Sequence, residues 1–162
     1  MMDGTIAPAL TVRAVDAAGV SLVKQFEGLH LTPYMCPSRV WTIGYGHTRT
    51  VQAGMKITPE QADQFLADDL HIVARAVQSL VTVPLNDNQF AALVSFVFNI
   101  GIANFQRSTL LQLLNRGWYE QVPAQLMRWN RAAGETLGGL SRRRGAEAQL
   151  WNATPVSATQ EI

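Results

Sequence analysis

Residues 26–48 read FEGLHLTPYMCPSRVWTIGYGHT and predict a change from helix to sheet. Asp16 is a suitable N-cap for the helix that leads into this stretch, because an aspartate side chain accepts the free amides of a first helical turn. Gly28 is a typical helix stop and leaves Glu27 at the C-terminal end of that helix. The β-branched and aromatic residues that follow, mixed with Pro and Gly, are typical of a small sheet. The sequence therefore predicts a hairpin or a three-stranded lobe after the first helix.

Helical patterns dominate the rest of the chain. Thr58, Pro59 and Gln61 supply the N-cap, the N1 proline and the N3 partner of a capping box. One apolar stripe runs along the helix that begins there, formed by Leu66, Leu70, Val73, Val77 and Leu80. Asn86 begins a second helix, whose FAALVSFVF segment is apolar on every side and belongs in the core. Shorter helices are predicted from Ser108, from about Trp118, and from about Leu140 to Trp151. The predicted fold class is α+β and mostly helical, with a small antiparallel sheet lobe.

The composition fits one packed domain. Of the 162 residues, 48% are hydrophobic and 15% are charged, which is unlike a disordered chain. One long uncharged stretch, residues 90–106, contains Asn and Gly and is shorter than the roughly 20 apolar residues of a membrane span. Residues 1–20 lack a basic n-region and a continuous apolar core, so the sequence predicts neither a signal peptide nor a signal anchor. We expect a single domain over residues 1–152, no stable membrane insertion, and a flexible tail over residues 153–162.

The charge is balanced overall but uneven along the chain. The formal net charge is +1, yet the stretch from residue 106 to residue 144 is basic. Seven arginines there face two glutamates: Arg107, Arg116, Arg128, Arg131, Arg142, Arg143 and Arg144 against Glu120 and Glu135. Such a region attracts nucleic acid, an anionic membrane or an acidic polymer, and the charge count does not choose among them. No nucleic-acid-binding module pattern occurs, and we expect no nucleic-acid partner.

A single cysteine, Cys36, excludes an intramolecular disulfide and a cysteine-based metal cluster. No metal or cofactor is predicted. Glu27, Cys36 and Thr42 are separated by eight and five residues. In an extended strand Thr42, Gly44 and Gly46 share one face, which the glycines leave bare. Because glycine in a strand often marks the close approach of a ligand, this alternation predicts Thr42 on a cleft wall.

Each of the three residues also has an ordinary structural interpretation. Glu27 could be a solvated helix end, Cys36 a small buried hydrophobe, and Thr42 a simple strand former. Taken one at a time, these interpretations are the stronger ones. The combination of the three has to be weighed as a motif.

As a motif, residues 26–48 resemble the catalytic segment of the phage lysozymes of glycoside hydrolase family 24. That family's pattern is Glu, eight residues, Asp or Cys, five residues, Thr, which Glu27, Cys36 and Thr42 fill without a gap. Tyr34 and the TIGYGH run match its flanks. Downstream, FVFNIGIANFQRSTLLQLLN and GLSRRRGAEAQLW resemble the central helix and the C-terminal signature of the family. The resemblance covers about residues 16–152, and the first 15 residues form an extension that matches nothing.

The resemblance implies a lysozyme-like fold with a cleft between two lobes and an endolysin activity. The enzyme would hydrolyse the β-1,4 bond between N-acetylmuramic acid and N-acetylglucosamine in bacterial peptidoglycan. Glu27 would be the general acid, and Cys36 with Thr42 would place a water for an inverting reaction. Since a free thiol has a pKa of about 8.5, only a few per cent of Cys36 would be thiolate at neutral pH, so its role would be mainly to position that water.

The other matched positions are expected to support the site. An arginine of the C-terminal signature approaches the catalytic glutamate in this family, and either Arg143 or Arg144 matches it. His47 is predicted to be structural, paired with Asp68 or Asp69. The remaining supporting positions are Tyr34, Gly44 and Gly46 beside the motif, Phe98, Asn99 and Ser108 near the saccharide cleft, and Thr48 at its edge.

The resemblance and the predicted absence of a signal together imply a route to the substrate. The enzyme would accumulate as a monomer in the host cytoplasm and would reach the peptidoglycan only after a holin permeabilises the inner membrane.

Three other functions stay open at this stage. A lytic transglycosylase cleaves the same bond but needs no positioned water, so Cys36 and Thr42 argue against it. A wall-binding module without activity is suggested only by the missing second carboxylate. A cysteine peptidase using Cys36 and His47 is disfavoured because Cys36 precedes a proline in a turn and does not begin a helix.

Overall fold

The computed structural model describes residues 11–132 and 134–154. Within these residues, the first elements are helix α1 (Ala17–Glu27) and the hairpin of β1 (His30–Met35) and β2 (Trp41–Gly44). A long helix, α2 (Pro59–Leu80), leads to the helical lobe. That lobe contains α3 (Asp87–Ile100), α4 (Ile102–Gln106), α5 (Thr109–Asn115), a 3₁₀ turn (Tyr119–Gln121), α6 (Val122–Met127), the short strands β3 (Arg131–Ala132) and β4 (Glu135–Thr136), and α7 (Gly138–Asn152).

Side-chain caps fix where four of the helices begin. Asp16, Thr58, Asn86 and Ser108 each accept the amide of the residue three positions later, at 2.8–3.1 Å. These bonds satisfy amides that have no partner within the helix. Thr58 and Asn86 complete capping boxes with Gln61 and Gln89. The predicted starts of α1, α2, α3 and α5 are therefore confirmed, while α7 begins two residues before its predicted start at Leu140.

Helix α3 forms the centre of the core, as its apolar sequence predicts. Every residue from Phe90 to Val97 is buried. Four residues of the predicted α2 stripe, Leu66, Leu70, Val73 and Val77, are buried in the same cluster, and Leu80 packs at its margin. A second, smaller cluster of Ile43, Ile57 and Ala62 fastens the sheet lobe to the start of α2.

The sheet lobe is a two-stranded antiparallel hairpin in which Tyr34 pairs with Thr42 and Met35 with Trp41. The predicted alternation through Gly46 is wrong, because β2 ends at Gly44. Gly44 and Gly46 have φ angles of 63° and 79°, which extended strands do not contain. They form a tight turn that brings Ile43 and His47 together in an isolated bridge.

The ends of the described chain add two further observations. Val12 and Val15 pack against the core, and Arg13 pairs with Asp87 at 2.7 Å, so the last part of the unmatched extension is integrated into the helical lobe. Most of the predicted tail, residues 155–162, and the first ten residues lie outside the described ranges. Within those ranges, no helix combines the length and the apolar character needed to cross a membrane.

Candidate active site

Glu27 is the last residue of α1, and the positive φ of Gly28 turns the chain away after it. The Glu27 side chain is 18% exposed, and its Oε1 accepts a hydrogen bond from Arg143 Nη1 at 2.6 Å. Of the two consecutive arginines that could have matched the family's partner, Arg143 is therefore the one that pairs with Glu27. One carboxylate oxygen is held by this contact.

Buried groups of the core hold the Arg143 side chain in place. Its Nη2 donates to the Ser95 carbonyl oxygen at 3.1 Å, and its Nε pairs with Glu147 Oε1 at 3.3 Å. The Ser95 hydroxyl donates to the same Glu147 oxygen at 2.8 Å. Arg143 and Glu147 are buried, so the position of the guanidinium is set by α3 and α7 together.

Arg144 holds the other side of this network. Its Nε lies 3.0 Å from Glu147 Oε2, and its Nη2 donates to Asn99 Oδ1 at 2.6 Å. Burial lowers the pKa of Arg144 to about 10, which still leaves the guanidinium charged at neutral pH. Burial raises the pKa of Glu147 above its ordinary value, and the two arginines and the Ser95 hydroxyl oppose that effect.

The predicted basic surface is therefore overstated by two residues. Arg143 and Arg144 lie in the core and face Glu147, which lies just outside the basic stretch of residues 106–144. Buried charges of opposite sign stabilise one another where water is excluded. The two arginines serve the site from within and add nothing to an exposed basic face.

Two pockets meet at Glu27. A cavity of about 620 Å³ is lined by Gln25, Phe26, Glu27, Asn99, Leu137, Gly139, Leu140, Arg142 and Arg143. A second pocket of about 210 Å³ is lined by Gly46, Thr48, Arg49, Asp69, Ile72, Val73 and Phe98. Gly46 lies against the Glu27 carboxylate, so the acid stands between the two pockets. Of the predicted cleft positions, Asn99 lines the larger pocket, and Thr48 and Phe98 line the smaller one.

The two glycines of the TIGYGH run have different tasks. A Cβ atom on Gly46 would lie 2.9 Å from Glu27 Oε2 and 3.3 Å from Phe98 Cε1, so a side chain there would displace the acid. A Cβ atom on Gly44 would instead meet Ala62 and Ile57 at 3.5 Å. Gly44 therefore packs the turn against α2, and of the two glycines only Gly46 opens the site.

Cys36 begins the tight turn of the hairpin. Its amide donates to the Val40 carbonyl oxygen at 3.1 Å, and its own carbonyl oxygen accepts from Arg39 N at 2.8 Å. The thiol is partly exposed, with Sγ 2.9 Å from Ser38 Oγ. The Ser38 hydroxyl, followed by the Val40 backbone, lowers the pKa of Cys36 to about 7. A larger share of the Cys36 thiol is then ionised at neutral pH than of a free thiol.

Thr42 affects the charge state of Cys36, and Tyr34 responds to the charges of both Cys36 and Glu27. Thr42 is 4% exposed, and its hydroxyl donates to the Val40 carbonyl oxygen at 3.1 Å and also favours the Cys36 thiolate. The expectation of a bare Thr42 face is therefore wrong, because Thr42 is almost entirely buried. Burial raises the pKa of Tyr34, and the charges of Glu27 and Cys36 raise it further. Tyr34 thus lies within electrostatic reach of both groups.

His47 and Ser108 have structural surroundings. His47 Nδ1 lies 2.8 Å from Asp69 Oδ2, its Nε2 lies 3.1 Å from Thr50 Oγ1, and its ring stacks on Phe65. The predicted pairing of His47 is confirmed with Asp69, and both ring nitrogens are engaged away from Cys36. Ser108 is buried, and its hydroxyl donates to the Phe105 carbonyl oxygen as it caps α5.

Sequence reasoning missed Ser38, Ser95, Arg142 and Glu147. The sequence did not identify Ser95 and Glu147 as site residues, because a serine in an apolar helix and a glutamate in a polar helix both have common structural explanations. Arg142 was counted only as surface charge, although it lines the larger pocket. Over residues 11–132 and 134–154, no group of three or more His, Cys, Asp or Glu side chains could hold a metal ion.

Comparison with known proteins places this geometry in a family. The Phage lysozyme family model matches residues 24–147, which include Glu27, Cys36, Thr42 and Arg143. The chain belongs to the phage lysozyme family. It is 42% identical over 141 residues to an endolysin of Acyrthosiphon pisum secondary endosymbiont phage 1, covering 85% of this chain and 97% of that relative.

Two further comparisons extend this result. A SAR-endolysin of Enterobacteria phage PA-2 is 34% identical over 146 residues and covers 88% of each chain. The solved muramidase domain of SpmX from Asticaccaulis excentricus superposes with a TM-score of 0.82 at 40% identity, covering 88% of this chain and 99% of that one. The resemblance stated from the sequence is confirmed: the protein is a lysozyme-type glycoside hydrolase, an endolysin that hydrolyses peptidoglycan, and its fold is the mostly helical lysozyme fold.

Proposed function

We propose that this family member cleaves the β-1,4 bond between N-acetylmuramic acid and N-acetylglucosamine with inversion, using Glu27 as general acid and Cys36 with Thr42 to direct the water. The observation that carries the proposal is the setting of the Glu27 carboxylate. One of its oxygens is bound by Arg143, and the other lies beside Gly46, which has no side chain to cover it. The second oxygen is thus the one placed to protonate a leaving group.

The reaction balances with the groups present. Glu27 gives its proton to the glycosidic oxygen as the bond from the anomeric carbon breaks. Water adds its oxygen to that carbon from the other face, and the Cys36 thiolate accepts the proton that the water releases. The turnover leaves Glu27 ionised beside Arg143 and Cys36 neutral, and both exchange protons with solvent before the next cycle. Arg143 stabilises the carboxylate formed by the first transfer.

The lowered pKa of Cys36 favours hydrolysis over transglycosylation. A lytic transglycosylase has no water to activate, so a thiolate held beside Thr42 would have no task in it. A binding module without activity would likewise have no need of an acid held by a buried arginine. Both alternatives leave these features without a function.

Digestion of purified peptidoglycan, followed by analysis of the new ends, tests the proposal. We expect new reducing sugars in proportion to the loss of turbidity. Anhydro sugar ends would establish a transglycosylase, new free amines a peptidase, and unchanged glycan strands a binding module. Any of these three results would overturn the proposal.

We also propose that the enzyme is a monomer that reaches the wall from the host cytoplasm with the help of a holin. Expression in bacterial cells without any other phage protein tests this route, with chloroform added to half of the culture. We expect lysis only where chloroform has opened the inner membrane. Prompt lysis without chloroform would contradict it and would favour a release route that needs no holin.

A further inference from the structure

The turn between β1 and β2 contains a residue that neither the family motif nor the proposed mechanism uses. Cys36 is followed by Pro37, Ser38 and Arg39, and the bond from Arg39 N to the Cys36 carbonyl oxygen closes a four-residue turn. Proline is favoured at the second position of such a turn. Ser38 occupies the third position, where its side chain stands beside the first residue of the turn. This placement sets the Ser38 hydroxyl 2.9 Å from the Cys36 sulfur.

The backbone of the turn is held in a costly conformation. Arg39 is the one non-glycine residue of the described chain that has a positive φ angle, at 61°. A residue with a side chain is disfavoured in this region because its Cβ atom lies too close to the following carbonyl oxygen. The hydrogen bond from Cys36 N to the Val40 carbonyl oxygen follows directly and returns the chain to β2. Strain of this kind persists where surrounding contacts hold it, and here the hydrogen bonds of Arg39 N and Cys36 N close the turn that contains Ser38.

We propose that Ser38 is a positioning residue for the reaction: its hydroxyl donates a hydrogen bond to the Cys36 thiolate and so fixes both the orientation and the charge state of that sulfur. The inference rests on the proposed function, because it gives the thiolate the task of receiving the proton of the attacking water. A hydroxyl that donates to a thiolate favours the charged form over the neutral one. Ser38 would act through Cys36 and need not touch the substrate.

The surroundings of the sulfur support this assignment. Thr42 on β2 offers a second hydroxyl, which donates to the Val40 carbonyl oxygen and favours the thiolate less strongly than the Ser38 hydroxyl does. The titratable groups near the sulfur are Tyr34 on β1, two residues before Cys36, and, beyond it, Glu27 on α1, while Arg39 lies in the turn itself. The Ser38 hydroxyl is the largest of the influences that lower the pKa of Cys36, and no charged group contributes to that shift.

The single cysteine of the chain allows a direct test. The rate of alkylation by iodoacetamide, measured against pH, reports the thiolate fraction of Cys36 alone. We expect a midpoint near pH 7 in the wild type. In Ser38→Ala the midpoint should move to higher pH, and alkylation below neutral pH should slow about three- to tenfold. Ser38→Thr should restore the wild-type curve, and Ser79→Ala, at an exposed serine near the end of α2, should not change it.

Lysis assays then show whether the reaction uses this thiolate. The ratio of wild-type to Ser38→Ala activity should be largest below neutral pH and should approach one near pH 9, because both proteins are then fully ionised at Cys36. A purely structural role for Ser38 would give a ratio that does not change with pH.

Two outcomes would overturn the inference. An unchanged alkylation midpoint in Ser38→Ala would show that the hydroxyl does not set the charge state. A shifted midpoint with a pH-independent activity ratio would show that the reaction does not use the thiolate, and with it the role proposed for Ser38 would fall. The second outcome also contradicts the role proposed for Cys36, whereas the first leaves that role standing, so the two failures are distinguishable.

Discussion

The two halves of the active site, around Glu27 and around Cys36, take part in one reaction, but different kinds of contact hold them in place. Glu27 is fixed by buried groups from distant parts of the chain, with Arg143 anchored on Ser95 and Glu147. Cys36 is fixed by its own turn, through contacts with Ser38, Arg39 and Val40. A change to the buried groups that anchor Arg143 should therefore disturb both activity and stability, because the same contacts hold the core together. A change on the thiol side should remain local.

The largest effect is expected from Glu27→Gln, which keeps the shape of the acid and removes its proton. General acid catalysis contributes about 10²–10⁴-fold, so lysis should fall by about two to four orders of magnitude. Stability should be similar or higher, since a charged active-site group gives way to a neutral one. Turbidity assays and thermal unfolding measure the two properties. Retained lysis would remove Glu27 from the mechanism.

Glu147→Gln tests whether the acid side is also part of the core. The substitution leaves two buried guanidiniums facing one fewer carboxylate, and breaking a buried ion pair from one side costs about 3–5 kcal/mol. Urea unfolding should show a loss of that size, together with weaker lysis as Arg143 loses an anchor. Glu120→Gln, at an exposed glutamate, is the control and should stay within about 0.5 kcal/mol of the wild type. Equal stabilities of the two variants would contradict the buried network.

Gly46→Ala and Gly54→Ala form a matched pair with φ angles of 79° and 80°. Both should lose about 1–2 kcal/mol of stability, because an alanine is strained in this region. A Cβ atom at Gly46 would lie 2.9 Å from Glu27 Oε2, whereas nothing lies within 4 Å of one at Gly54. Only the first variant should lose lysis, roughly 10–100-fold, through displacement of the acid. Similar lysis by both would show that Gly46 does not set the position of Glu27.

Cys36→Ala should have the smallest effect of the series. Removing the proton acceptor should lower lysis roughly tenfold, while the thermal midpoint stays near that of the wild type because the side chain lies in an exposed turn. Cys36→Asp should stay active, since a carboxylate replaces the thiolate, and alkylation of the wild type should inhibit. Wild-type turnover in Cys36→Ala would leave the water to Thr42 alone.

Much of the framework could be predicted because its signals are local. The caps at Asp16, Thr58 and Asn86 fix helix starts by hydrogen bonds within three residues, and they were confirmed. The strand alternation through Gly46 failed because it assumed extended backbone where two glycines adopt positive φ angles. Two-residue strands such as β3 and β4 carry too few residues for a period, so they were not predicted.

The site shows the same division. The spacing of Glu27, Cys36 and Thr42 could be found from the sequence as a motif. The choice between Arg143 and Arg144 could not, because neighbouring residues on a helix point about 100° apart and packing alone decides which of them faces Glu27. The charge state of Cys36 also stayed hidden, since it depends on a hydroxyl contact that is set by the shape of one turn.

The central claim is that an acid on one side and a placed water on the other act together in a single inverting step. Proton NMR of the first product formed from a defined glycan substrate tests it, before the sugar ends mutarotate. Because the bond that is cleaved is β, inversion predicts that the α-anomer appears first and that the β-anomer grows in later. Initial release of the β-anomer would mean retention, and would contradict the assignment of Cys36 and Thr42 to the attacking water.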